Sequence, residues 1–131
     1  MRTLIAICIG GIIGINVSFA SVHGLLKYYQ NEGVGEFSAA SGESSWNQEN
    51  IPANGGKARA CSSCHGTDIL KPGRHVKTGK VIEPMAPSVN PSRLSELKKI
   101  EKWFRRNCRW TFGRECSTQE KGNFLQYLMA Q

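Results

Sequence analysis

The sequence predicts an all-α domain of few helices and long loops, too poor in apolar residues along much of its length to fill its own centre. Three observations predict this. Two segments near the C-terminus carry apolar residues at spacings of three and four, the period of a one-sided helix. No run alternates apolar and polar residues convincingly enough for a strand. Residues 33 to 56 and 66 to 91 are rich in Gly, Ser, Asn and Pro and hold no period, so they read as loops; long ordered loops in a small domain usually wrap something.

The chain has 131 residues, enough for one domain. Its first twenty, MRTLIAICIGGIIGINVSFA, place Arg2 before an apolar core and end on the small-residue site Ser18-Phe19-Ala20. That is the layout of a secretory signal peptide, with a working domain over 21–131 and export to the periplasm. The apolar run is short for a membrane span of ~20 residues. Residues 21–31, SVHGLLKYYQN, form an expected short helix burying Leu25, Leu26 and Tyr29. A helical piece is expected over Lys57 to Ala60. Asn90-Pro91 reads as an N-cap and first helical residue, opening a helix that lines up Leu94, Leu97, Ile100 and Phe104 and carries Arg105 and Arg106 in its last turn. Ser117-Thr118-Gln119-Glu120 fits a capping box ahead of Phe124, Leu125, Leu128 and Met129.

The formal net charge is +7. On an exported chain with scattered basic residues this excludes nucleic acid as a partner and points to an acidic protein surface and electrostatic steering. Cys8 lies in the leader, so four cysteines remain: Cys61 and Cys64, and the even pair Cys108 and Cys116.

Cys61-Ser62-Ser63-Cys64-His65 carries the chemistry. Two thiols three positions apart can form thioethers to haem vinyl groups, and the adjacent imidazole can bind the iron. The competing readings are a thioredoxin-like dithiol, which needs a βαβ context, and a zinc knuckle, which needs two more ligands. The sixth iron ligand has several candidates. Met85 is a thioether in the loop VIEPMAPSVNP; Met129 is on the last helix; His75 and His23 read as solvated histidines. Asn107 reads first as a helix C-cap, because Asn tolerates a left-handed backbone.

From CSSCHGTDI onward the sequence resembles the sphaeroides haem protein family, on CSSCHG, TGK at 78–80, PMAPS at 84–88, EKW at 101–103, RNC at 106–108 and GREC at 113–116. The resemblance implies a cytochrome c fold around one covalent haem c, with thioethers at Cys61 and Cys64, His65 as proximal ligand, and Asn107 as distal ligand in the ferric protein. It also implies a Cys108–Cys116 disulfide beside Asn107. In that family the asparagine leaves on reduction, and dioxygen or nitric oxide can then bind; in the related cytochrome c double-prime a histidine stands at the position of Asn107. The implied electron donors are a dihaem cytochrome c and a membrane cytochrome b. Oxygen or peroxide reduction, nitric oxide handling and sensing all remain open as the reaction. Arg105, Arg106 and Lys80 are candidates for haem propionates or bound ligand. The alternatives are a low-spin electron carrier with a permanent ligand such as Met85, and a proton-coupled redox carrier.

Overall fold

The computed structural model describes residues 17–32, 34–53 and 55–131. Of the expected leader, 1–16 lie outside the described residues and 17–20 open the first helix. The elements run α1 (Val17–Asn31), α2 (Ala39–Asn47), α3 (Ser62–His65), β1 (Gly73–Arg74), β2 (Val81–Ile82), α4 (Leu97–Phe112) and α5 (Thr118–Met129). The architecture is helix-dominated, as the sequence predicts. The strands form one two-residue antiparallel hairpin, pairing Gly73 with Ile82 and Arg74 with Val81. No helix among the described residues is long and apolar enough to cross a membrane.

The twelve-residue α5 is the spine. Ser117 caps it: the Ser117 hydroxyl accepts from Glu120 N, and the Glu120 carboxylate accepts from Ser117 N at 2.7 Å, so the expected capping box is formed. One side buries Phe124, Tyr127 and Leu128 with Trp46, Ile69 and the Cys108–Cys116 pair. The other buries Leu125 with Val22, Leu25, Leu26 and Tyr29 of α1 and Ile100 of α4. Leu25, Leu26 and Tyr29 are therefore core, as their spacing predicts.

Four local expectations are corrected. The region 33–56 is not all loop, because it contains α2. Ser38 caps that helix, its hydroxyl accepting from Ser41 N. Its weak helix formers serve proximity: a Cβ at Gly42 would overlap the Asn123 carbonyl of α5. Close approach lets Trp46 reach the core, 5% exposed. Residues 57–60 are not helical; Asn50 and Arg59 instead form an antiparallel bridge. Asn90 does not cap a helix. Its side chain donates to Pro84 O and accepts from Ser92 Oγ, and the turn that follows ends at Leu94 with φ +57°, a left-handed backbone that stops any helix. The helix starts at Leu97 instead. It also runs further than expected, to Phe112, where Gly113 (φ +71°) caps it and Arg109 takes the place in the last turn assigned to Arg105 and Arg106.

Behind Phe104, Glu101 accepts from the Tyr29 hydroxyl and from Lys121 Nζ at 2.7 Å, joining α1, α4 and α5. Burial pushes the Glu101 carboxyl up, but its bonds from Lys121 and Tyr29 outweigh that and hold it below the usual range.

Two predictions follow from this packing. Gly42→Ala should cost about 1–3 kcal/mol, read by denaturant unfolding, because the collision is with backbone and cannot be relieved by a rotamer. A depressed carboxylate stabilises the fold above its unfolded pKa and loses that contribution as pH falls through its folded pKa. Stability should therefore decline through the acid range, and Glu101→Gln should flatten that decline when thermal midpoints are compared across pH.

Candidate haem site

The Cys61–His65 segment is a single helical turn. Cys61 O accepts from His65 N at 3.1 Å, the Ser63 hydroxyl accepts from Ala60 N at 2.9 Å, and Gly66 (φ +78°) turns the chain away. Two elements hold this turn from behind. Gly73 lies so close to the Cys64 carbonyl and the His65 backbone that a Cβ there would overlap both. Trp46 Nε1 donates to Gly66 O at 3.0 Å, and its ring lies 5.4 Å from the His65 imidazole at 44°. The loop 83–86 is pinned by Ile69 O, which accepts from Met85 N and Ala86 N, and by Arg93, which donates to Pro84 O and Glu83 O.

α4 forms the facing wall. Thr111, 1% exposed and the one buried polar residue among those described, lies beside the Cys61 thiol and favours its ionised form. One residue earlier on the helix, the Trp110 carbonyl accepts from Arg59 Nη1 at 3.0 Å while the guanidinium sits 4.9 Å from the Trp110 ring centre. Asn107 is half-buried and four residues before Thr111, so the two share one side of the helix. The C-cap reading of Asn107 is thereby overturned: it is an interior helical residue with five more helical residues after it, and Gly113 makes the cap. A helix interior is an unfavourable place for Asn, and capping does not account for it.

Cys108 and Cys116 are joined by a disulfide with Cα atoms 5.5 Å apart. It clamps the last turns of α4 to the residue before the α5 N-cap. In the chain-entropy picture so short a loop contributes about 2.5 kcal/mol. Because both sulfurs are bonded to each other, they cannot complete a zinc site with Cys61 and Cys64, and no βαβ unit flanks the CSSC segment.

The other candidates separate cleanly. Met85 is half-buried against the same apolar cluster as Cys61, whereas Met129 packs on the opposite cluster with α1. His75 Nδ1 accepts from Lys77 N and Thr78 N, so it braces the turn between β1 and β2. His23, Lys80, Arg105 and Arg106 are exposed. Sequence reasoning missed Trp46, Gly73, Thr111 and Arg59. Trp46 alone carried a signal, as a large apolar residue in a polar stretch.

The residues fit a covalently held haem. Cys61 and Cys64 are free and half-buried, and burial pushes the Cys61 thiol up to about 11 against the influence of Thr111, so it is an un-ionised thiol in an apolar setting. Burial, then the nearby Arg93 guanidinium and the His75 ring, lowers His65 to about 4, which keeps the imidazole neutral and available to a metal. His65 Nδ1 is buried without a hydrogen-bond partner among the described residues. Apolar side chains from α2, α4, α5 and the 69–86 loop close around the turn.

Helical wrap, CSSCH turn and apolar surround together define a monohaem c-type cytochrome. Residues 32–128 match the model of a family described as a domain of unknown function, DUF1924. The chain is 43% identical over 72 residues to the cytochrome c-type protein SHP of Cereibacter sphaeroides, 55% of each chain. It is 41% identical over 76 residues to cytochrome c'' of Methylophilus methylotrophus, 58% of this chain and 53% of that one. It thus spans about half the length of the curated relatives it matches. Among solved structures, oxidised cytochrome c'' from Methylophilus methylotrophus superposes with a TM-score of 0.76 at 31% identity, covering 86% of this chain and 95% of that one. Oxidised SHP, described as an oxygen-binding cytochrome c, gives 0.76 at 32%, covering 85% and 97%. A solution structure of cytochrome c'', described in terms of haem-ligand detachment, gives 0.76 at 31%, covering 86% and 94%. The chain belongs to this family of SHP and cytochrome c'' proteins, with one covalently attached haem.

Trp46→Phe keeps the ring against His65 but removes the donor to Gly66 O. It should cost about 1 kcal/mol in stability, measured by denaturant unfolding of the haem-loaded protein.

Proposed function

We propose that this chain is a periplasmic cytochrome that accepts an electron from a partner and then binds a small diatomic molecule such as dioxygen or nitric oxide at a position vacated by Asn107. The observation that carries the reading is the place of Asn107: helix-interior, half-buried, and one turn from the Thr111–Cys61 contact on the same side of α4. When bound, the haem would supply a one-electron couple and an iron open to protein and small-molecule donors. His65, kept neutral by burial, would hold the iron. Cys61 and Cys64 tether the group, and Trp46 and Gly73 fix the turn behind His65.

Asn107 would offer a further donor through its carboxamide oxygen, a hard and weak ligand. Such an oxygen is better matched to ferric than to ferrous iron, so the side chain would let go on reduction. The disulfide at Cys108 keeps the helix in register while the side chain departs. The description of SHP as oxygen-binding, and of cytochrome c'' by haem-ligand detachment, supports the same behaviour here. Residues 1–20 serve as the export signal, and a dihaem cytochrome c and a membrane cytochrome b serve as electron donors. Reduction of oxygen or peroxide, or handling of nitric oxide, is the chemistry such a site can host.

The competing reading makes Met85 a permanent ligand, since it packs on the same cluster as Cys61. Its backbone is fixed to Ile69 O, four residues after His65, which favours a packing role beside His65 over a donor opposite it. Electron paramagnetic resonance and resonance Raman on both oxidation states separate the two. Asn107→Ala should change the ferric spectrum and leave carbon monoxide affinity of the reduced form within about threefold, under 1 kcal/mol. An unaltered ferric spectrum removes Asn107 from the iron, and a six-coordinate low-spin ferrous form that refuses carbon monoxide makes Met85 the ligand.

A further inference from the structure

α4 has two faces of different character. Ile100, Phe104, Cys108 and Thr111 turn inward. On the opposite face Lys98, Lys102, Arg105 and Arg106 are all exposed, and none of the four makes an ion pair among the described residues. The acids nearest along the helix are already engaged, Glu96 by Lys99 and Glu101 by Lys121. Four uncompensated cations on about two turns are a focused positive field, distinct from the diffuse charge of the whole chain.

Trp103 stands at the margin of this field. It is 46% exposed, and Arg106 lies over its ring at 5.5 Å. Exposed tryptophan beside arginine is costly to leave in water and typical of the centre of a contact surface. Its position on the helix is informative. Trp103 is four residues before Asn107 and seven before Trp110, the residue that meets Arg59 just ahead of Cys61. The cationic face and the candidate haem crevice therefore adjoin along one edge of α4, with Trp103 on the border.

We propose that this face of α4, bordered by Trp103, is the docking surface for a one-electron donor protein that presents an acidic patch. The proposal rests on the reading of the chain as a partner-reduced cytochrome and adds where the partner sits. Charge complementarity selects an acidic protein over the alternatives. An anionic lipid surface would be held firmly by an exposed apolar stripe, whereas among the large apolar residues of α4 only Leu97 and Trp103 are exposed, and Ile100 and Phe104 pack against α1 and α5. Docking here brings the donor to the edge of the helix that bears Asn107. One electron then passes from the donor to ferric iron, and the donor is left one electron more oxidised.

The test uses the full haem-loaded protein and fully reduced flavodoxin, a strongly acidic one-electron donor, as the probe. Stopped-flow reduction should fall steeply with ionic strength. Lys98→Glu/Lys102→Glu should slow it by about tenfold at low salt, while Lys27→Glu/Lys57→Glu, with the same change of net charge on other surfaces, should slow it less than about twofold. Trp103→Ala should slow it with its salt dependence unchanged. Reduction by ascorbate should be the same in all variants, and their ferric spectra and carbon monoxide binding, read on the same samples, check the Asn107 assignment separately. Equal slowing by the two charge-reversal pairs overturns the proposal, because net charge alone then steers. So does retention on anionic phospholipid vesicles that is lost in Lys98→Glu/Lys102→Glu while the flavodoxin rate stays at the wild-type value.

Discussion

Everything in this fold depends on α5 having a partner on each side. A helix of twelve residues is marginal alone, and in proteins such a helix is held by packing of its apolar sides. Gly122 admits the Phe37 ring and Asn123 lies against Gly42, so α2 packs nearly backbone to backbone. Phe124 meets Phe104 and Phe112 of α4 and Trp46 of α2, with ring centres 6.3 Å away in each case. Leu125 faces α1. The disulfide adds a covalent bond across the turn between α4 and α5, with both cysteines buried in the core cluster. Once α5 is fixed, the positions of Trp46 behind His65 and of Thr111 in front of Cys61 follow from it.

That arrangement separates support from chemistry. The residues that hold the CSSCH turn (Gly73, Trp46, and the Ile69 carbonyl with the 83–86 loop) lie on the His65 side and act through backbone contacts and one indole hydrogen bond. The α4 side contributes side chains on one helix edge, Asn107 and Thr111. Charge on the molecule follows the same geometry, since the outward face of that helix collects Lys98, Lys102, Arg105 and Arg106, none in an ion pair among the described residues.

The parts legible in the sequence are those where a local rule decides the outcome. The Ser117 capping box needs only its own four residues, and it forms as read. The CSSCH turn, the burial of Leu25, Leu26 and Tyr29, and the apolar side of α5 are of the same kind. α2 was illegible because its glycine and serines are unfavourable for an isolated helix; contact with α5 makes them an advantage, and nothing within residues 33–56 announces that contact. Asn90-Pro91 misled for the converse reason. Its residues suit a helix start, but Asn90 is bound to Pro84 and Leu94 takes a left-handed backbone, both tertiary outcomes. Thr111 and Arg59 were invisible because their significance is a partner fifty residues away in the chain.

Asn107 shows how a boundary error can hide a candidate residue. Placed at a helix end, an asparagine is explained by its backbone tolerance and needs no further role. Placed five residues inside α4, the same asparagine carries a propensity cost, and the segment is stiffened by the disulfide one residue later. A weak amide donor cannot hold its own geometry, so the scaffold must supply it; a helix clamped to α5 does that without adding strength to the donor itself. Under the proposed function, departure of the side chain would need rotation about its own bonds, or a shift of α4 as a body, and no hinge in the backbone beside it. The clamp fixes where Asn107 begins, and in the proposed function the strength of its attachment would be left to the metal's oxidation state.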